Sequence, residues 1–225
     1  MNTNHSFSQF YQQKKVRNLY PTEFVIRILL GSYPNLNLNK QTYPGSKILD
    51  LGFGDGRNFP LLDDLDMEIH GCEMDQAMLD AAKNRFKQMN LRLSLGSNSS
   101  IPYDTNYFDY ILACHSCYYI SPNETFAHNL KEIARVLKPN AHFIFSLPRT
   151  DNFILHDAVA MDDGHYQIQN DPYGLRNGVL FKAFSTADEI QQSFAQHFKD
   201  LRIGSSVNDY FGRLVSAWIG VATRI

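Results

Sequence analysis

"KILDLGFGDGRNFPLL", residues 47–62, opens as an apolar strand and then sets Gly52, Gly54 and Gly56 at alternate positions. Glycine loses more conformational freedom on folding than any other residue, so a cluster needs a reason. A tight turn or a close approach of backbone to a ligand is such a reason. A G-x-G-x-G turn between strand and helix also directs backbone N–H groups beyond the strand end. Asp50 precedes the turn and Asp55 lies inside it. Acids there suit a cationic or zwitterionic ligand better than a phosphate.

Outward from this turn, strands and helices alternate. Residues 55–65 begin a helix, with Pro60 near its first turn, where a missing N–H is tolerated. "MEIHGCE" (67–73) is a second strand. Asp75 caps a helix with Met78, Leu79, Ala82 and Phe86 on one face. "LRLSLG" (91–96) is a third strand. "FDYILAC" (108–114) is a fourth, nearly all apolar, as befits a strand covered on both faces. Ser121-Pro122-Asn123-Glu124 has the S-x-x-E pattern of a capping box, with Pro at the first helical position. Phe126, Leu130, Ile133 and Leu137 continue that helix, and Pro139 stops it. "AHFIFSLP" (141–148) is a fifth strand. Residues 151–184 read as irregular and polar. A helix at about 186–198 and the strands "LRIGSSV" (201–207) and "SAWIGVAT" (216–223) close the chain. Ahead of the turn, "TEFVIRILL" (22–30) reads as a helix capped by Thr22, followed by a Gly/Pro/Asn-rich connector.

Strands separated by helices imply an α/β fold with a doubly wound, mostly parallel sheet. In such sheets ligands bind beyond the carboxyl ends of the strands. The glycine cluster lies at that end of the first strand, and Glu73 lies at that end of the second. A carboxylate there can accept from both hydroxyls of a ribose. Its distance past the glycines, about twenty residues, matches the usual spacing for that role. Alone, Glu73 is equally a solvated acid ahead of a helix.

The whole chain of 225 residues suits one large domain. Its net charge of −2 and the absence of a basic tract point to neither nucleic acid nor an anionic membrane as partner. The polar start "MNTNHSFSQF" lacks an apolar signal core, and the run Phe24–Leu30 is short and holds Arg27. The 3 cysteines cannot build a full disulfide framework, so a cytoplasmic location is expected.

Four ordered motifs together resemble the class I S-adenosylmethionine-dependent methyltransferases. They are "ILDLGFGDGRN" (48–58), "HGCEMDQAML" (70–79), "LGSNSSIPYDTNYFDYILACHSCYYI" (95–120) and "LKEIARVLKPNAHFIFSLP" (130–148). The likeness implies a Rossmann-like sheet of seven strands, the final one antiparallel. Residues 1–46 would form an N-terminal helical cap. Residues 47–225 would form the methyltransferase domain, with a substrate-lid insertion at about 151–184. The cofactor implied is S-adenosyl-L-methionine, with S-adenosyl-L-homocysteine as product.

By this resemblance, Gly52, Gly54 and Gly56 leave room for the methionine portion, and Asp50 orients its amino group. Glu73 holds the ribose, and Met74 packs on the adenine. Asn58, Ala113 and Cys114 complete the cofactor side. The family often has an Asp after the glycine that ends the third strand. Here Ser97 stands there with Asn98 beside it, and either offers a neutral hydrogen bond. Phe53 replaces a common small residue. In "KPNA", Asn140 takes the place of a glycine and can adopt its left-handed conformation.

Methyl transfer needs alignment of nucleophile, methyl and sulfur, and a base only if the nucleophile must lose a proton. His115 is the candidate base, with a structural role as the alternative. Tyr118 and Tyr119 follow it and are expected to line the acceptor pocket. His156, His165, Tyr173 and Arg176 lie in the expected lid. Singly each is an ordinary loop residue; together they imply a polar, anionic acceptor. Cys114-His115-Ser116-Cys117 has C-x-x-C spacing, yet a closed zinc site needs four ligands, and the reading is no metal. Tyr11 or Tyr20 is expected to close over the methionine end, Tyr20 being assigned to the cofactor and Tyr11 to the acceptor. The alternative is a helix packed on the sheet edge.

The resulting expectation is methyl transfer to oxygen or nitrogen of a small polar metabolite, by a monomer or homodimer. The rivals are a dinucleotide-dependent oxidoreductase and a non-catalytic cofactor-binding or scaffold protein.

Overall fold

A computed structural model describes residue 10, residues 19–36 and residues 38–225. Tyr11, expected near the acceptor, lies outside the described residues. Helix α1 spans Glu23–Leu30 and buries Phe24, Val25, Ile28 and Leu29. Thr22 stands at its N-cap but makes no side-chain cap bond, contrary to expectation. The Thr22 hydroxyl instead receives Cys114 Sγ at 3.3 Å, and its N–H donates to Asn58 Oδ1 at 3.2 Å.

The core alternates β1 (Lys47–Leu51), α2 (Phe59–Asp64), β2 (Glu68–Glu73), α3 (Gln76–Arg85), β3 (Arg92–Leu95) and β4 (Phe108–Ala113). After the short β5 (Tyr119–Ile120) come α4 (Phe126–Val136) and β6 (Leu137–Pro148). The chain ends with α5 (Ala187–Phe194), β10 (Phe198–Asp209) and β11 (Leu214–Arg224). The main sheet has 7 strands in the order β10-β11-β6-β4-β1-β2-β3. The run from β3 to β6 is parallel. The last strand in sequence, β11, runs antiparallel and is inserted between β6 and β10.

Side chains alternate across this sheet. Phe143 and Phe145 enter one apolar cluster with Ile133, Phe194 and Phe198, while Ile144 enters the other with Val25, Ile48 and Phe59. Burial on both faces explains the near-continuous apolar runs of β4 and β6. The same alternation puts Asp50 out of the cluster that takes Leu49 and Leu51.

Three elements depart from the sequence reading. Helix α4 starts after Thr125, whose hydroxyl accepts from His128 N, and His128 Nδ1 accepts from Thr125 N. The S-x-x-E stretch is a turn instead, because Asn123 has a φ of 66° and Glu124 N closes on Ser121 O at 3.1 Å. Pro139 does not stop that helix, which ends at Val136; it lies in β6 where the register with β4 shifts between Phe108 and Tyr110. An irregular ladder tolerates proline there, and Asn140 takes a φ of 63° as its sequence setting predicts.

The segment expected to be irregular instead holds β7 (Val159–Ala160), β8 (His165–Gln167) and β9 (Leu180–Lys182). With β5 they form a separate small sheet, ordered β5-β9-β8-β7. Among the described residues no helix is long and apolar enough to cross a membrane.

Candidate active site

Beyond the carboxyl ends of β1, β2 and β4 opens a cavity of about 790 Å³. The glycine turn forms one side of it. Gly52, Gly54 and Gly56 have φ of 69°, 59° and 73°, a region costly for residues with a Cβ. At two of the three, the close approach comes from the protein itself. A Cβ on Gly52 would stand 2.5 Å from Ser116 Cβ, and one on Gly56 would meet the Phe86 and Phe59 rings at 2.6 and 2.8 Å.

Glu73, at the end of β2, accepts from Gly54 N at 2.9 Å and from Met74 N at 3.0 Å. Burial pushes its carboxyl above the usual range, and the two N–H bonds oppose that. Asp50 is fully buried behind the turn. Its Oδ2 receives a long bond from Asn58 Nδ2 at 3.4 Å, and its Oδ1 has no partner. Burial lifts its pKa to about 7; the Asn58 bond opposes the rise, and the Glu73 and Asp55 charges add to it. Asp55 itself is engaged by Arg57 through bonds of 2.9 and 2.8 Å.

Past β4, His115 adopts a left-handed φ of 56°. Its N–H donates to Ser146 Oγ at 2.9 Å, and its Nδ1 lies 3.1 Å from the same hydroxyl. The ring lines the cavity, edge-on to Phe24, and the residue is solvent-exposed on that side. Desolvation, aided by the charges of Arg176 and Arg57, brings its pKa down to about 4, so the imidazole is neutral near pH 7. A neighbouring Ser116 hydroxyl donates to Leu51 O, tying this loop to the glycine turn.

The wall of the cavity unites Gly52, Gly54, Asn58, Glu73, Met74, Ser97, Asn98, Cys114, His115, Tyr118, Tyr119, Tyr173 and Arg176 from the expected set. Asp50, Gly56 and Ala113 lie behind it. Tyr20 and His156 are exposed and off the wall, and the half-buried His165 is off it as well. His156 pairs with Asp157 at 3.0 Å, and His165 Nδ1 donates to Asp162 O at 3.1 Å. These two histidines sit where local partners hold them outside the pocket. Asn98 does not aim its amide N–H groups inward; they donate to Ser116 O and Tyr119 O at 2.9 and 3.1 Å.

Thr22, Arg57, Phe153, Ile154, Phe181 and Val215 also line the cavity and had no signal of their own in the sequence. Arg57, directly after the glycines, was the one within reach of inspection. Cys114 Sγ turns to Thr22 Oγ1 and Cys117 Sγ to Ser146 O, so the C-x-x-C pair does not converge. Among the described residues no cluster of three or more His, Cys, Asp or Glu could hold a metal.

Residues 49–145 match the methyltransferase domain family. That stretch is similar to the methyltransferase domains that the sequence motifs resemble. S-adenosylmethionine is the cofactor of that family. An uncharacterized methyltransferase of Bacillus subtilis, YdaC, is 33% identical over 97 residues, which are 42% of this chain and 52% of that protein. The match thus spans about half the length of this curated relative. A Methanosarcina mazei S-adenosylmethionine-dependent methyltransferase superposes with a TM-score of 0.67 at 16% identity, covering 92% of this chain and 99% of its own. A 1,6-didemethyltoxoflavin N1-methyltransferase of Burkholderia thailandensis, solved with that substrate and S-adenosylhomocysteine, gives 0.61 at 15% identity over 99% of this chain and 84% of its own.

The donor set at this site fits S-adenosylmethionine. An unpaired buried carboxylate oxygen underlies the turn, and a second carboxylate stands at the next strand end. A cation above and a vicinal diol beside them would satisfy both.

Proposed function

We propose that the chain transfers a methyl group from S-adenosylmethionine to an oxygen or nitrogen of a small molecule. When bound, that cofactor supplies a methyl group on a positively charged sulfur. Glu73 would accept from the ribose hydroxyls while keeping Gly54 N and Met74 N. Asp50 would place a negative pole under the ammonium group. Met74 and Met78 would pack against the adenine, and Asn98 would offer its Oδ1. His115, Tyr118 and Tyr119 would face the acceptor. The observation that carries this reading is the Glu73 to Gly54 N bond of 2.9 Å at the mouth of a cavity that continues to His115.

Calorimetry with S-adenosylhomocysteine and a nicotinamide dinucleotide tests it. Tight binding of the former alone is expected. Glu73→Ala should weaken it about ten- to hundredfold, the weight of hydrogen bonds to a charged group. Binding of the dinucleotide alone would reverse the assignment. Binding of S-adenosylhomocysteine without methyl transfer to any metabolite pool would leave a non-catalytic binding protein.

A further inference from the structure

The far end of the cavity differs in chemistry from the end at the glycine turn. Asp55, Arg57, Glu73 and Asp75 crowd the near end. From Cys114 onward, Arg176 is the single charged residue on the wall among the described residues. Phe153, Ile154, Leu180, Phe181, Val215 and Ala217 give that end an apolar side, and Asn152, Tyr173 and Asn177 share the wall with them.

The loop that carries Arg176 is built around one carboxylate. Asp171 is fully buried, and its Oδ1 accepts from Tyr173 N at 3.0 Å. Its Oδ2 accepts from Leu175 N and Arg176 N, both at 3.0 Å, and from Arg176 Nη1 at 3.2 Å. Asp171 N in turn donates to Asn177 Oδ1 at 2.7 Å. Three backbone donors share the negative charge, and the carboxylate lies behind the wall rather than on it. The guanidinium is steered from the other side by Nε donating to Tyr119 Oη at 3.1 Å. The pair therefore presents its positive end to the cavity. Burial alone would lower Arg176, yet the oxygens of Tyr119, Tyr118 and Asp171 hold it above its ordinary value, so the charge persists. Its field reaches His115, whose protonation it opposes. A planar guanidinium as the one charged group at an otherwise uncharged end of a cavity suits a carboxylate or similar oxyanion.

We propose that the methyl acceptor is an organic acid bound as its anion, with an apolar body against Phe153, Ile154 and Phe181 and its acid group on Arg176, and that Asp171 is the residue that positions this guanidinium. This rests on the methyl-transfer reading above.

The test uses the full chain and a cell metabolite extract split by anion exchange into a retained anionic fraction and a flow-through. Each fraction is added with methyl-tritiated S-adenosylmethionine, and separately to the S-adenosylhomocysteine-loaded protein in a thermal-shift assay. Label and a raised melting point are expected from the anionic fraction only. Arg176→Gln should raise the half-saturating amount of that fraction about ten- to hundredfold, with S-adenosylhomocysteine affinity unchanged. Arg176→Lys should recover part of the loss. Asp171→Asn should weaken acceptor response in the same direction without touching cofactor affinity; if it does not fold, the Arg176 variants decide. Response to the flow-through, an undiminished response in Arg176→Gln, or no response to the anionic fraction while the cofactor binds overturns the proposal. Failure of S-adenosylmethionine to bind overturns the methyl-transfer reading instead.

Discussion

Asp50 is a fully buried carboxyl with one oxygen that no protein group partners, and that has a measurable sign. Its folded pKa of about 7 lies above the ordinary 3.8. Between pH 4 and 7 the native state therefore holds a proton that the unfolded chain has lost. Stability of the cofactor-free protein should fall as pH rises through this window and level off above it. The full effect is on the order of 4 kcal/mol by linkage. Asp50→Asn should flatten the profile and stand above the parent at pH 8 but not at pH 4.5, as urea midpoints would report. A cofactor cation would draw the proton off. Affinity for S-adenosylmethionine should then rise with pH up to about 7 in the parent and stay level in Asp50→Asn. At this scale the sequence was informative about Asp50 and Glu73 because both follow from position at a strand end. It was silent on the protonation of His115, since the approach of Arg176 to that ring depends on a fold across 61 residues of chain (176 − 115).

At the scale of elements, the start of α4 separates two readings of one stretch. The hydroxyl of Thr125 and the ring of His128 satisfy the first N–H groups, so Thr125→Ala should cost about 1 kcal/mol. Ser121→Ala should stay within about 0.5 kcal/mol. Thermal denaturation of the two variants checks the pair, and a larger loss at Ser121 would return the cap to the earlier residue. Ser121 to Glu124 carries a stronger capping pattern than Thr125 to His128, yet Asn123 in the left-handed region turns the chain before a helix can begin. Local pattern fixes what a segment can do, and the backbone around it decides which option is used. The small sheet was harder still. Strands of 2 or 3 residues, as in β5, β7, β8 and β9, offer too few positions for an alternation to register.

For the molecule as a whole, Phe194 joins the last helix to the sheet. It is 1% exposed and meets the rings of Phe126, Phe143, Phe145 and Phe198. Phe194→Ala should destabilise by about 3–5 kcal/mol, with an unchanged urea dependence if the denatured state is the same. The parallel core was legible because apolar runs, helix faces and turn glycines agree along contiguous stretches. The rest of the cavity wall was not, because Thr22, Phe153 and Val215 reach it from separate parts of the chain and each looks ordinary at home.

Ser116 fills the space that a side chain at position 52 would need, and its hydroxyl is tied to the carbonyl of Leu51. The two loops are consequently gear and pinion: neither can shift by itself. Stiffening one by occupancy should quiet the other, so amide exchange at residues 114–119 should slow when only the nucleoside half of the crevice is filled.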